Sequence, residues 1–163
     1  MIIWVEGPDG SGKSTLVNKL VDTCGYNTID LCGRMKDKYK EAQWWYNFRE
    51  EYTDTRGTYV IDRSPLSEAV YRLYDKGVPW CRDSDVRACL NLGKIIYCRT
   101  DNEFESAMQR GEDNIVTRES HDRICTIYDV LVDYFETIGR IPVLRYNYKT
   151  TPFNDVLKFI NRR

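Results

Sequence analysis

The sequence predicts an α/β fold of three layers, a parallel five-stranded sheet with helices on both faces. Three observations carry this. A short apolar, β-branched run, Met1–Val5, leads into a glycine-rich stretch, Gly7–Ser14, and then into residues at helical spacing. Further strand-length runs follow, separated by helical patterns, and alternation of this kind gives parallel sheets. The runs are short and mostly apolar, as strands covered on both faces are.

Taken in order, Leu16, Val17, Leu20 and Val21 define the first helix, which ends at Cys24-Gly25. Asn27–Leu31 is a weak second strand. Asp37–Tyr52 reads as a helix whose aromatics, Trp44, Trp45 and Phe48 among them, belong to the core more readily than to a ligand platform. Thr58–Asp62 is a buried strand ending on a carboxylate. Ser64 caps the next helix, with Pro65 at its first position and Leu66, Ala69, Val70 and Leu73 on its apolar face, and Gly77 closes it. A loop, Val78-Pro79-Trp80, and a short helix, Asp83–Asn91, precede the strand Lys94–Cys98. Asp101–Arg110 reads as a helix, Gly111–Asn114 as a polar break and Glu119–Ile138 as a long amphipathic helix. Pro142–Tyr146 is the last strand and Phe153–Ile160 the last helix. One domain spans residues 1–163, with a lid region at about 108–123.

The composition sets bounds. Basic and acidic side chains number 24 and 25, for a net charge of −1, which argues against a broad nonspecific nucleic-acid surface. No apolar run approaches a membrane span, and the apolar N-terminus lacks the basic flank of a secretion signal. The six cysteines form no C-x-x-C, and His121 is the one histidine, so no zinc pattern stands out. The thiols read as reduced and structural, in a cytoplasmic protein.

Gly7-Pro8-Asp9-Gly10-Ser11-Gly12-Lys13-Ser14, with Thr15 following, fits G-x-x-x-x-G-K-[ST], the phosphate-binding loop. The fold class sharpens to that of a P-loop NTPase. Glycines let backbone N–H groups converge on phosphate oxygens, and the helix N-terminus adds partial positive charge. Lys13 is expected on the β- and γ-phosphates of ATP and the Ser14 hydroxyl on Mg²⁺. Asp62, at a strand end beside the loop, is the candidate carboxylate that holds Mg²⁺ indirectly, from behind its ligands, or the base that orients a hydroxyl acceptor. Arg63 can clamp an acceptor phosphate bidentately. The plainer alternative for Asp62-Arg63 is a structural salt bridge.

Three kinds of phosphate-loop protein compete. A switch GTPase needs N-K-x-D, which is missing; Asp30-Leu31-Cys32-Gly33 fits D-x-x-G but reads as a strand end and turn. Large ATPases need more chain. A small kinase needs only a second substrate site and a basic cover. Here the residues carry a resemblance. Ile2–Leu16, with Glu6, Gly7, Asp9, Gly10, Gly12, Lys13 and Thr15, resembles the E-G-x-D-G-x-G-K-x-T of thymidylate kinases. Asp62, Arg63, Ser67 and Tyr71 resemble that family's strand-end D-R and the helix after it. The stretch from Ile95 to Arg110-Gly111 is similar to its fourth strand, short helix and basic lid. Departures exist: R-E-P-G is absent, with only Arg34 nearby, and Arg72 replaces a Gln. Ser64-Pro65 gives an Asp-Arg-x-Pro similar to viral thymidine kinases and an Asp-Arg-Ser similar to deoxynucleoside kinases.

The resemblance implies an ATP-dependent kinase, compact as in phage-type enzymes, with a nucleotide acceptor held by Asp9, Arg63, Tyr71 and Arg34. It implies lid arginines, Arg110 and Arg118, over the transferred phosphate, with Arg123 close by, and it favours a homodimer. A pyrimidine deoxynucleoside 5′-monophosphate such as dTMP is the expected acceptor. The alternatives are a free deoxynucleoside, or the hydroxymethyl group of a modified uracil in phage DNA, where Lys36, Lys38, Lys40 and Arg162-Arg163 would line a strand-binding groove.

Overall fold

In the computed structural model, which describes residues 1–29, 47–50, 52, 57–78, 83–109, 111 and 117–162, five strands form one sheet. The strands are β1 (Ile2–Glu6), β2 (Asn27–Thr28), β3 (Tyr59–Asp62), β4 (Gly93–Cys98) and β5 (Val143–Tyr146). Their order is β2-β3-β1-β4-β5, and every pairing is parallel. The helices are α1 (Lys13–Cys24), α2 (Pro65–Lys76), α3 (Asp83–Leu90), α4 (Glu103–Gln109), α5 (Arg118–Thr137) and α6 (Phe153–Asn161).

The strand β1 is central, and all five of its residues are buried. Side chains alternate across a strand, so β1 feeds both layers. Ile2 and Trp4 join Ile61, Ile95 and Tyr97 against Leu66, Val70, Leu90, Tyr128 and Val132 from α2, α3 and α5. Ile3 and Val5 join Val60, Ile96 and Cys98 against Leu16, Leu20, Val156 and Ile160 from α1 and α6. This is the three-layer arrangement expected from the sequence. Phe48 lies 5.6 Å from the Trp4 ring, in the core as expected for that aromatic segment.

Capping fixes the helix starts. Ser64 Oγ accepts from Leu66 N at 3.0 Å, with Pro65 behind it. Thr117 accepts from Ser120 N at 3.1 Å, which starts α5 at Arg118 instead of the expected Glu119. The helix α4 starts at Glu103, two residues later than expected, because the side chains of Thr100 and Asn102 bond within the preceding turn. Cys24, Cys98 and Cys125 are in no disulfide. Among the described residues no helix is long and apolar enough to cross a membrane. Arg34, Arg110, the Asp30–Gly33 segment, Trp44, Trp45, Lys36, Lys38, Lys40, Arg163 and residues 112–116 of the expected lid lie outside the described residues.

Candidate active site

The glycine loop leaves the carboxyl end of β1 and wraps the start of α1. Its path requires glycine at two close approaches. A Cβ on Gly7, at φ +143°, would stand 2.3 Å from the Cys98 carbonyl oxygen. One on Gly10, at φ +88°, would stand 1.9 Å from the Glu103 carbonyl oxygen. The loop is thereby wedged between the end of β4 and the start of α4.

Lys13 is buried in the loop, where its ammonium donates to the Pro8 carbonyl at 2.7 Å and lies 3.9 Å from Asp9. Burial pulls its pKa down and the charge of Arg63 adds to that, while Asp9 and Asp62 oppose it. Ser14 Oγ donates to Asp62 Oδ2 at 2.7 Å. Sequence reasoning paired these two residues from 48 positions apart, and the structure brings them together at the ends of β1 and β3. The second oxygen, Asp62 Oδ1, is buried and finds no hydrogen-bond partner among the described residues; the same holds for Ser11 Oγ in the loop. An unmatched acceptor beside Ser14 and an unmatched hydroxyl within the loop fit a hydrated Mg²⁺ and a phosphate oxygen respectively.

Arg63 follows β3 with φ +73°, a strained conformation for a residue with a side chain. The strain accompanies a tight cluster. Arg63 Nη2 forms an ion pair with Asp9 Oδ1, and the guanidinium lies 5.3 Å from the centre of the Tyr71 ring. Tyr71 OH donates to Asp9 Oδ2 at 3.1 Å. Burial of Asp9 opposes its ionisation. Arg63, Lys13 and the bond from Tyr71 outweigh it, and the carboxyl titrates below its usual range. Burial pushes the Tyr71 phenol up to about 12, so it stays a donor at neutral pH. Tyr71, expected among the residues that hold the acceptor, is fastened to the loop carboxylate.

Behind this cluster lies a residue whose placement the sequence did not reveal. Glu6 follows Ile2 and Trp4 on one face of β1 and is fully buried. It accepts from Ser64 Oγ and, at 2.6 Å, from Ser67 Oγ, which also bonds Tyr128 OH at 2.8 Å. Burial raises its pKa against the pull of both hydroxyls. The signal was a carboxylate ending an apolar strand. Tyr148 was also missed; its ring packs on Gly12 and its hydroxyl donates to Asn102 at 3.3 Å. Arg118 is exposed at the start of α5, paired with Glu105 and 4.7 Å from the Phe104 ring centre. Arg123 lies 5.7 Å from the Tyr74 ring centre. Neither arginine is brought into the Lys13–Asp62–Arg63 group.

No family model matches the sequence, and no curated protein sequence matches it. Solved structures do match. The YorR protein of Bacillus subtilis, solved in complex with phosphorylated GDP, superposes with a TM-score of 0.73 at 18% identity, covering 97% of this chain and 92% of that one. The deoxyadenosine kinase of M. mycoides with bound dATP gives 0.65 at 14% identity, over 99% and 98%. The thymidylate kinase of Ehrlichia chaffeensis gives 0.60 at 14%, over 96% and 98%. The fold is that of the P-loop nucleoside and nucleotide kinases. Within this kinase fold the described site residues cluster at the carboxyl ends of β1 and β3, where a parallel sheet presents its ligands.

Proposed function

We propose that the chain is an ATP-dependent kinase that phosphorylates a deoxynucleotide, with a pyrimidine deoxynucleoside 5′-monophosphate of the dTMP kind as acceptor. The observation that carries the reading is the Asp9–Arg63–Tyr71 cluster beside the loop that holds Lys13. Donor and acceptor chemistry meet there within a few side chains.

The roles follow from charge and position. The loop amides and Lys13 take the donor phosphates. Ser14 and Asp62 would hold Mg²⁺, which when bound would neutralise phosphate charge; their hydrogen bond supports this. Arg63, already held by Asp9 and Tyr71, presents its remaining N–H groups to the acceptor phosphate. An acceptor phosphate oxygen is ionised at neutral pH and attacks the γ-phosphorus without a base, as the bond to the β-phosphate oxygen breaks. This suits Asp62, whose Oδ2 is engaged by Ser14 and which is therefore assigned to the metal side. Asp9 accepts the 3′-hydroxyl of the deoxyribose in this reading, and Arg110, or Arg118 once it leaves Glu105, supplies charge to the transferred phosphate. The near-neutral net charge favours a free nucleotide over a DNA strand.

The decisive experiment is an ATP-consumption screen across deoxynucleosides, their monophosphates and hydroxymethyluracil DNA, with product analysis. Turnover of pyrimidine deoxynucleoside monophosphates is the expected result. Labelling of the modified DNA with no turnover of any free monophosphate overturns the acceptor assignment and leaves the kinase assignment standing.

A further inference from the structure

A second cluster of reactive side chains lies beside the phosphate loop. His121 and Cys125 stand four residues apart on α5, and so share one helical face. Glu103, the first residue of α4, meets them. All three are buried, and one nitrogen, one sulfur and one oxygen fall within 4.8 Å of one another. We propose that Glu103, His121 and Cys125 form a binding site for a thiophilic divalent cation, of which Zn²⁺ is the prime example, separate from the Ser14–Asp62 pair.

Four observations support the site. The first is its dimensions. Cys125 Sγ lies 3.5 Å from His121 Nδ1 and 3.5 Å from Glu103 Oε2. A tetrahedral ion with a metal–sulfur bond of about 2.3 Å and metal–nitrogen or –oxygen bonds of about 2.0 Å requires those edges to be about 3.5 Å. The second is the imidazole tautomer. His121 Nε2 lies 3.2 Å from the Asp9 carbonyl oxygen, which can only accept. The proton therefore sits on Nε2 and leaves Nδ1 as the unprotonated nitrogen, 3.5 Å from the sulfur, and a ligating histidine is commonly held in this way through its other nitrogen.

The third observation is charge. Arg99 bonds both Glu103 and Asp129, so that with the thiol protonated these side chains carry one net negative charge. A divalent ion bound to the thiolate leaves the group neutral. Coordination forms a metal–sulfur bond, breaks the S–H bond and releases that proton to solvent. The fourth is access. A cleft of about 420 Å³ opens on the three side chains, lined also by the exposed acids Asp101, Glu105 and Asp122. It gives the ion an entry path and leaves room for a water as its fourth ligand. Thiolate and imidazole select Zn²⁺ or Co²⁺ over Mg²⁺. The bound ion would sit one hydrogen bond from the phosphate loop, through His121 and Asp9.

The test uses the purified full chain, stripped with chelator and titrated with Co²⁺. One equivalent is expected to give the absorption of tetrahedral cobalt with a sulfur-to-metal charge-transfer band. Zn²⁺ should displace it and an excess of Mg²⁺ should not. Cys125→Ser should abolish the band, and Glu103→Gln should weaken binding by at least about tenfold. X-ray absorption of the wild-type zinc complex provides a readout free of any folding defect, with one sulfur expected in the coordination shell. A sulfur-free shell, a band that survives Cys125→Ser, displacement by Mg²⁺, or no stoichiometric binding would each overturn the site.

Discussion

Ser14 and Asp62, 48 positions apart in sequence, share a hydrogen bond of 2.7 Å where β1 and β3 deliver the phosphate loop and the strand-end carboxylate to one point. Kinase activity should depend on both. Ser14→Ala and Asp62→Asn are each expected to lower phosphoryl transfer by about 100-fold or more, the scale of a lost transition-state charge contact. Lys13→Ala should do the same, and excess chelator should stop the reaction. Steady-state kinetics on folded variants checks this. Full activity in chelator would refute the Mg²⁺ assignment.

Arg63 offers a sharper separation, because its backbone and its charge can be tested apart. Arg63→Ala should raise the acceptor KM with the ATP KM little changed, a loss of about 2 to 5 kcal/mol in acceptor binding where the charge pair is desolvated. Arg63→Gly loses the same charge but relieves the φ of +73°, and should be more stable than the alanine variant by about 1 kcal/mol. Equal effects on both substrates would mean that Arg63 only supports the loop.

Glu6 and Asp9 should leave opposite signatures in stability against pH. The folded pKa of Glu6 is raised, so its contribution is complete below the ordinary carboxylate pKa and is lost as pH rises through the folded value. Glu6→Gln keeps partners for Ser64 and Ser67 and removes that loss. Its Tm relative to the parent chain should improve between about pH 4 and neutrality. The folded pKa of Asp9 is depressed, so its contribution is present above the ordinary pKa and is lost as pH falls through the folded value. Asp9→Asn should therefore cost most at neutral pH and least in acid. Thermal melts across pH decide both, and a pH-independent difference in either would be evidence against the assignment.

Gly10 should tolerate no side chain. Gly10→Ala places a Cβ 1.9 Å from the Glu103 carbonyl in a left-handed conformation, at an expected cost of about 2 to 5 kcal/mol. Nucleotide binding should fall with it, because the loop must move off α4. Calorimetry of folding and of ATP binding tests both, and wild-type values in the variant would show that the loop does not need this close approach.

The architecture was legible because it rests on local patterns. Apolar strands, a Ser64-Pro65 helix start and glycine stops at Gly25 and Gly77 each act within a few residues, and each stands where the sequence put it. The Ser14–Asp62 pairing was legible for a different reason, since a phosphate loop and a strand-end acid occupy fixed places in a parallel sheet. Glu6 was harder to place. A carboxylate closing an apolar strand reads as the strand's polar end, and nothing local announces that Ser64 and Ser67 will turn back to satisfy it. His121, the one histidine, showed no zinc pattern because one of its neighbours comes from elsewhere. Cys125 lies on the same helix at a spacing that could have been noticed, but Glu103 arrives from another helix, and only packing reveals it.

The position of β1 also bears on how the molecule assembles. It precedes the other four strands in sequence and is the central one in the sheet, pairing with Tyr59–Asp62 on one side and, about 90 residues after its own start, with Gly93–Cys98 on the other. Pairings of such separation cost loop-closure entropy before they return contact energy, so folding is slow relative to a protein of local contacts. On the ribosome, Ile2–Glu6 waits with both edges unpaired until two later strands emerge. The phosphate cradle waits longer, since Gly7 and Gly10 are shaped by the Cys98 and Glu103 carbonyls. On the proposed function, nucleotide binding is thus a late event in the life of a newly made chain, and a truncation before Glu103 would have the loop sequence without its form.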